Sequence, residues 1–344
     1  MKLYYFSLLF CSLLLVSCNQ KKENHPLKGN SSNEFVLSFG SCNNQNIPNT
    51  MWSEILKNKP DIFVWGGDIV YADTHDMKFM KKNYEQQKND SAYQNFIKQI
   101  PVLGTWDDHD YGINDGGIEY DKKDSVQQIF LDFFDVDVND KRRKQQGVYY
   151  TKKIELGKNS INIILLDTRY FRTELTNDTT GIKRYTPNKY GKGSMLGEMQ
   201  WFWLENELKN SKANFNIIVS SIQFLSYEHG FESWGTMPHE VDKLKMIIGD
   251  SKAKGVIILS GDRHIAEISK DTIKGLNYPL IDITSSGLTH SYKSYSGEAN
   301  KYRVSNVVAD KNFGILKFDF EKNKVQMEIR GENNQLFESF SQKY

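Results

Sequence analysis

Short β-rich apolar segments alternate with helical patterns from residue 34 to the end of the chain. Predicted strands lie at 34–39, 61–65, 102–106, 147–155, 161–166, 215–220, 256–259, 280–283, 313–320 and 324–329. Predicted helices lie at 51–57, 77–98, 125–134, 197–209 and 240–248. The last two strands alternate apolar and polar residues, as a half-exposed antiparallel hairpin does. This order of elements predicts an α/β fold over residues 34–344 rather than a β sandwich or a helical bundle.

Polar side chains follow six of the predicted strands directly. They are Cys42, Asp68, the acidic run 107–110, Asp167 with Arg169, Ser220 to Gln223, and Asp262 to His264. In open α/β sheets, binding sites form beyond the carboxyl ends of the strands. We therefore expect these residues to converge on one crevice.

The charge balance of the chain is nearly neutral. Lys and Arg number 44 and Asp and Glu number 43, so no global basic field exists of the kind that neutralises a nucleic-acid backbone. We expect a monomer without a specific nucleic-acid partner.

The N-terminus has the pattern of a bacterial lipoprotein signal peptide at residues 1–17. Lys2 precedes an apolar run that ends at Val16 and is too short to span a bilayer comfortably. Ser17 and Cys18 then resemble the end of a lipobox, in which the Cys is acylated and becomes the first mature residue. The alternative is an ordinary secretory signal with an incidental Cys. We expect lipidation of Cys18, a flexible tether at 18–33, and an exported protein anchored to an envelope membrane and facing the periplasm.

Cys42 is the single thiol left if Cys11 is removed and Cys18 is acylated. A free Cys is most often a small buried hydrophobe. However, Cys42 has no partner for an intramolecular disulfide in an oxidising compartment, and it stands at a strand end. These two features favour a metal thiolate.

Asp68, Tyr71 and His264 are further candidate ligands. Asp68 and Tyr71 lie three residues apart after a strand, so one turn brings both towards one point. A phenolate is a hard donor that favours a trivalent, iron-like ion. The alternatives are a turn or cap residue for Asp68 and a structural histidine for His264.

The segment 105–115 contains four carboxylates, one histidine and one amide. A solvated acidic loop is the alternative interpretation, but the apolar strand before it would bury its root. We predict oxygen ligands from Asp108 and Asn114, and His109 as the proton donor to the leaving group.

Seven motifs in order resemble those of the PhoD-like alkaline phosphatase/phosphodiesterase family, within the calcineurin-like metallophosphoesterases. They are GSC (40–42), GDIVY (67–71), TWDDHD (105–110), LDTR (166–169), GEMQWFWL (197–204), SGDRH (260–264) and TSSGL (284–288). The resemblance implies the metallo-dependent phosphatase fold, in which two packed mixed β-sheets are flanked by helices as a four-layer α/β/β/α sandwich.

The resemblance also implies a mixed-metal site. Cys42, Asp68, Tyr71 and His264 would hold Fe³⁺, and Asp68 would bridge to Ca²⁺ that takes further oxygens from Asp108 or Asn114 and from Asp262. One iron and one or two calcium ions are expected, and other divalent metals are compatible. A metal-activated water or oxide would attack phosphorus in line.

Three residues are candidates for substrate contact. Arg169 matches phosphate oxygens bidentately and is predicted as a catalytic phosphate clamp, with a surface salt bridge as the alternative. Gln223 and His290 are predicted to line the pocket.

The predicted function is that of an extracytoplasmic phosphoric ester hydrolase, a phosphodiesterase and/or alkaline phosphomonoesterase. The alternative is a lipid-anchored module that binds metal or a phosphorylated glycan without hydrolysis. A structural lipoprotein that binds calcium only for stability does not account for Cys42 together with Tyr71.

Overall fold

The computed structural model describes residues 33–344 as an α/β fold. The strands are β1 (Glu34–Gly40), β2 (Ile62–Gly66), β3 (Val102–Thr105), β4 (Tyr150–Leu156), β5 (Asn159–Leu165), β6 (Thr176–Asn177), β7 (Tyr185–Thr186), β8 (Phe215–Val219), β9 (Val256–Ser260), β10 (Ala266–Asp271), β11 (Leu280–Ser285), β12 (Asn312–Asp319), β13 (Lys324–Gly331) and β14 (Leu336–Lys343). The helices are α1 (Met51–Leu56), α2 (Met77–Asn89), α3 (Ser91–Ile97), α4 (Asp108–Tyr111), α5 (Lys123–Phe133), α6 (Gly197–Asn210) and α7 (Pro238–Ser251). Short 3-10 helices lie at Lys141–Arg143, Trp234–Thr236 and Glu332–Asn334.

Twelve of the strands form two six-stranded mixed sheets. The first sheet has the order β14-β13-β12-β1-β2-β3, and the second has the order β10-β11-β9-β8-β5-β4. Strands β1, β2 and β3 pair in parallel, as do β11, β9, β8 and β5. The carboxyl ends of the parallel strands within each sheet therefore lie at one edge of it.

Alternating side chains of the central strands enter different cores. In β2, Phe63 and Trp65 pack with Trp52 of α1, whereas Ile62 and Val64 face the core that also contains Ile163 of the second sheet. On the other side of the second sheet, a third core contains residues of α6 and α7. Strands buried on both faces read as continuous apolar runs, which is why the sequence signal for them is strong. Three cores between four layers confirm the predicted α/β/β/α sandwich.

The structure adds the short helix α4 and the two-residue strands β6 and β7 to the predicted elements, and it differs from them in three larger ways. The predicted helix 77–98 is two helices, because Asp90 leaves the helical conformation with φ −57° and ψ 130°, and its carboxylate accepts a hydrogen bond from Tyr93 N at 2.8 Å. The prediction omits strand β10, which begins two residues after His264 and has no long apolar run. The prediction also omits strand β14, which lies at the edge of the first sheet. Its side chains are exposed or half-buried, so its hydrophobic pattern is weak.

The predictions for the N-terminus fall almost entirely outside the described residues. The structure does not describe residues 1–32, which include the signal peptide at 1–17, Cys18 and all of the tether except Asn33. Among the helices of residues 33–344, none has the length and apolar character needed to cross a bilayer.

Candidate metal centre and active site

The loops after the parallel strands meet in one crevice. Cys42 Sγ, after β1, lies 3.4 Å from Asp68 Oδ2, after β2, and 3.7 Å from the carbonyl oxygen of Asp262, after β9. Ser221, after β8, donates to Asp107 Oδ1, after β3, at 2.8 Å. The expected convergence of strand ends is therefore observed across both sheets.

Cys42, Asp68, Tyr71 and His264 surround one point. The hydroxyl of Tyr71 donates to Asp68 Oδ2 at 3.2 Å and lies 3.0 Å from His264 Nε2. Ligand atoms of Cys42, Asp68 and His264 all lie within 4.8 Å of one another. The structure thus brings together one thiol, one carboxylate, one phenol and one imidazole, as the sequence predicts.

The backbone at these ligands is unusual. Cys42, Asp68, Asp262 and His264 have positive φ values of 59°, 51°, 69° and 55°. Residues other than glycine seldom adopt the left-handed region, and such strain concentrates at functional sites. Each of these residues lies in the loop after a strand and contributes a ligand atom to the crevice.

Two further groups of ligand atoms, mainly carboxylates, lie beside the first. Asp68 groups with Asp108 and His109, and Asp107 and Asp108 group with Asp262. The oxygens of Asp108 are directed by two backbone amides, His109 N at 2.9 Å and Asp115 N at 2.6 Å. Within residues 33–344, Asp107 Oδ2 is buried and has no hydrogen-bond partner. Because Asp68 belongs both to the group with Cys42 and His264 and to the group with Asp108, it is placed to bridge two cations.

The crevice concentrates negative charge. Burial and the neighbouring Asp108 raise the pKa of Asp68 well above its usual value, and burial and Asp108 do the same for Asp262. Burial also raises the pKa of the Cys42 thiol, with Asp68 as the next cause. Burial would raise the pKa of Asp108 too, but Arg169 and His109 lower it to about 2. Cations would supply the compensation that buried carboxylates need.

His109 is held at the mouth of the crevice by two contacts. Its Nδ1 lies 2.7 Å from Asp73 Oδ2, and its ring stacks on that of Tyr71 with centroids 4.2 Å apart. Burial lowers the pKa of His109, but the hydrogen bond to Asp73 and the charge of Asp68 raise it to about 11. Asp73 fixes Nδ1 and therefore the direction of Nε2. The sequence interpretation did not single out Asp73, although it lies in the same loop as Asp68.

Arg169 has a different environment from the one predicted. Its side chain is fully buried, Nε donates to Asp107 Oδ1 at 2.6 Å, and Nη1 donates to Glu232 Oε2 at 2.6 Å. Its Nη2 also lies against Asp107. All three guanidinium nitrogens face carboxylates, so neither an open phosphate clamp nor a surface salt bridge describes this geometry. We assign Arg169 to holding Asp107, and a role in catalysis or substrate binding stays a prediction.

The remaining predicted residues differ in exposure. Gln223 is fully buried, and its amide donates to Glu267 at 2.9 Å and Thr284 at 3.0 Å, which directs it into the protein rather than into a pocket. His290 is half-buried, with its ring centroid 4.4 Å from that of His264. Asn114 is exposed, unlike the other predicted ligands. Substrate contact by Gln223 or His290, and metal ligation by Asn114, stay predictions.

Comparison with known proteins identifies the family of the chain. A sequence profile described as PhoD-like phosphatase matches residues 37–329. The chain belongs to the PhoD-like phosphatase family. Alkaline phosphatase D of Bacillus subtilis (strain 168) is 21% identical over 322 residues, which cover 78% of this chain and 54% of that protein. The chain thus spans about half the length of this curated relative.

A solved structure shares the fold. The structure titled "Structure of PhoD" superposes with a TM-score of 0.74 at 17% identity, covering 91% of this chain and 70% of that one. At this identity the likeness concerns the fold alone. It confirms the metallo-dependent phosphatase fold that the motif set implies.

The donors in this member of the PhoD-like family fit two kinds of cation. Thiolate, phenolate, imidazole and carboxylate together suit a trivalent transition metal, whereas a group of carboxylates suits a hard cation such as Ca²⁺. Asp107 Oδ2, which has no hydrogen-bond partner in the described part of the chain, is a buried acceptor of the kind that a cation satisfies. The residues present therefore fit metal-dependent chemistry.

Sequence reasoning also missed residues that pair with Asp115 and with the buried arginines beside the crevice. The hairpin β6–β7 carries Tyr185, whose hydroxyl donates to Asp115 Oδ2 at 2.6 Å, and Arg184, whose Nη2 pairs with the same carboxylate at 2.5 Å. Glu232 is fully buried between Arg169 and Arg172. These residues lie in loops or in the two-residue strand β7, which are too short or irregular for periodicity, so no local signal distinguishes them from solvated residues.

Proposed function

We propose that this protein is a metal-dependent phosphoric ester hydrolase that acts on phosphodiesters, on phosphomonoesters at alkaline pH, or on both. The observation that carries the proposal is the sharing of Asp68 between two groups of metal-ligating atoms. A carboxylate in that position can hold two cations at a short, fixed separation. Such paired sites favour in-line displacement at phosphorus.

The two groups have different metal preferences in this proposal. Cys42, Asp68, Tyr71 and His264 would hold Fe³⁺, because their donors are a thiolate, a carboxylate, a phenolate and an imidazole. Asp68, Asp108, Asp262 and the exposed Asn114 would supply oxygens to one or two Ca²⁺ ions. When bound, these ions neutralise charge on the phosphoryl oxygens and lower the pKa of water.

The chain's own groups supply the proton and the orientation. His109 donates a proton to the leaving oxygen from Nε2, since Asp73 and the ring of Tyr71 hold the imidazole in one orientation. Arg169 keeps the carboxylate of Asp107 turned towards the crevice. His290 lies beside His264 and Tyr71, where it can contact a bound substrate.

The proposed location is extracytoplasmic. The pattern of residues 1–17 and the position of Cys18 support an exported lipoprotein held at an envelope membrane and facing the periplasm. Labelling of cells that express the full chain with a radioactive fatty acid tests this: the wild type should incorporate the label at Cys18, and Cys18→Ser should not. A wild-type protein that carries no fatty acid contradicts the anchor.

The hydrolase proposal is tested with two buried aspartates that flank strand β2. Asp68 follows β2, whereas Asp61 precedes it at the opposite end of the strand. Asp61 is also buried, and its carboxylate accepts a hydrogen bond from Val36 N at 2.8 Å. Hydrolysis of bis-p-nitrophenyl phosphate and p-nitrophenyl phosphate should fall on chelation. Asp68→Asn should lose bound iron and at least about 100-fold in kcat, as expected when a metal-bridging group is removed.

Asp61→Asn should keep the metal content and turnover of the wild type. Full activity in Asp68→Asn would contradict the proposal. A protein that binds metal through these ligands but hydrolyses neither ester would instead be the lipid-anchored binding module.

A further inference from the structure

We infer that Glu232 is a positioning residue that holds two buried arginines behind the carboxylate pair Asp107 and Asp108, and so keeps the charge of that pair available to a cation. The inference rests on the proposed metal-dependent function of the site. Glu232 lies in the loop between β8 and α7, and its side chain is 1% exposed.

The first connection runs through Arg169. Glu232 Oε2 accepts from Arg169 Nη1 at 2.6 Å, and Arg169 Nε donates to Asp107 Oδ1 at 2.6 Å. Asp107 in turn belongs to the group of ligand atoms that includes Asp108 and Asp262. One arginine thus connects Glu232 directly to a carboxylate of the crevice.

The second connection runs through Arg172. Glu232 Oε1 pairs with Arg172 Nε at 3.0 Å, and Arg172 Nη2 donates to the carbonyl oxygen of Asp115. The amide of Asp115 donates to Asp108 Oδ2 at 2.6 Å. The same glutamate therefore supports both members of the carboxylate pair from two directions.

The charges explain why an acid is required at this position. The side chains of Arg169 and Arg172 are at most 1% exposed, and each is paired with Glu232. Without Glu232, the full positive charge of Arg169 would act on Asp107 and Asp108, and Arg172 would be buried without its carboxylate partner. Both effects would weaken the attraction of the crevice for a cation.

The experiment compares Glu232→Gln with Glu240→Gln in the purified full chain. Glu240 is also buried and accepts from Trp201 Nε1 at 2.7 Å and Met195 N at 2.8 Å, but these contacts join α6 and α7 away from the crevice. Calcium chloride is titrated into each metal-stripped protein by calorimetry, and the melting temperature is measured with and without calcium. Turnover is recorded separately.

We expect the calcium dissociation constant of Glu232→Gln to rise by about 10- to 100-fold, the range typical of residues that support metal ligands. The calcium-dependent rise in melting temperature should shrink in parallel. Glu240→Gln should lower the melting temperature of the metal-free protein but keep the calcium affinity. Unchanged calcium affinity in Glu232→Gln, or equal losses in both variants, would overturn the inference.

Glu232→Asp covers the case in which Glu232→Gln does not fold. It keeps the charge but shortens the side chain, so it cannot reach both arginines, and we expect a loss of calcium affinity of about 3- to 10-fold. Wild-type affinity in this variant would also overturn the inference. Calcium binding without turnover in the wild type would refute the hydrolase proposal while leaving this comparison intact.

Discussion

His109→Gln should slow the hydrolysis of esters according to the basicity of their leaving group. The imidazole is fixed by Asp73 at 2.7 Å and by its stack on Tyr71, so a proton on Nε2 has a defined direction. An alkoxide is a strong base and needs that proton when the bond to phosphorus breaks. p-Nitrophenolate is a weak base and leaves without it.

The size of the effect follows from the contribution of a positioned proton donor. General acid catalysis typically gives about 10²- to 10⁴-fold, which corresponds to about 3–5 kcal/mol of transition-state stabilisation. We expect His109→Gln to lose that factor in kcat with an alkyl phosphodiester, but less than about 10-fold with bis-p-nitrophenyl phosphate. Asp73→Asn should show the same substrate dependence with a smaller loss, because it keeps an acceptor for Nδ1 but removes the charge.

The assay is steady-state hydrolysis of both substrates by the wild type and the variants at saturating metal. His75 offers a matched control, since its Nδ1 also lies 2.7 Å from a carboxylate, that of Asp121, while the pair is exposed to solvent. His75→Gln should leave both rates unchanged. Equal losses of His109→Gln on the two substrates would refute proton donation and leave a purely structural role.

Three further changes test the fold around the site. Gly67→Ala should cost about 1–3 kcal/mol of unfolding free energy and reduce activity, because φ is +100° and a Cβ would lie 2.5 Å from Asp107 Cβ. Gly181→Ala isolates the backbone strain in the same urea titration, because its φ is +74° and no atom of residues 33–344 beyond its two chain neighbours would lie within 4 Å of the new Cβ. Asp90→Ala should cost about 1 kcal/mol in urea unfolding, because it removes the cap of α3. Burial raises the pKa of Asp282 to about 6, against hydrogen bonds from Leu225 N and Ser260, so its ionisation lowers the stability of the folded state. The unfolding free energy of the wild type should therefore fall as pH rises from 4 to 6, and Asp282→Asn should remove up to about 3 kcal/mol of that fall. An unchanged pH profile in denaturant titrations would contradict this assignment.

The parallel strands were predictable because both of their faces are buried. Ile217 and Ile218, for example, enter different cores, so β8 reads as an uninterrupted apolar run with a sharp end. The polar residue after such a run must lie at the sheet edge, and this places Asp68 and Asp262 without knowledge of the tertiary structure. The break at Asp90 was not predictable from periodicity, because it depends on one side chain that caps a new helix.

The roles of the arginines depend on contacts that are remote in sequence. Arg169 follows a strand, which suggests a position in the crevice, but its burial is set by Glu232 in another loop. Likewise, His109 is oriented by Asp73 and not by one of its immediate neighbours. Sequence patterns therefore identify the groups that reach the crevice, whereas the pairing of charges behind them requires the folded structure.

The strain at the ligands indicates that the crevice is organised by the fold itself. Left-handed backbone at residues other than glycine costs on the order of 1–3 kcal/mol each, and persists where neighbouring contacts determine it. Asp68 shows such contacts: its carbonyl accepts from Asn43 N at 2.8 Å, and the next amide, Ile69 N, donates to Asp110 at 2.8 Å. The protein thus fixes the direction of the carboxylate through its main chain on both sides. A site whose ligands are directed in this way needs little rearrangement when cations bind, and its affinity then depends mainly on the charge of the surrounding groups, which is the quantity that Glu232 controls in our proposal.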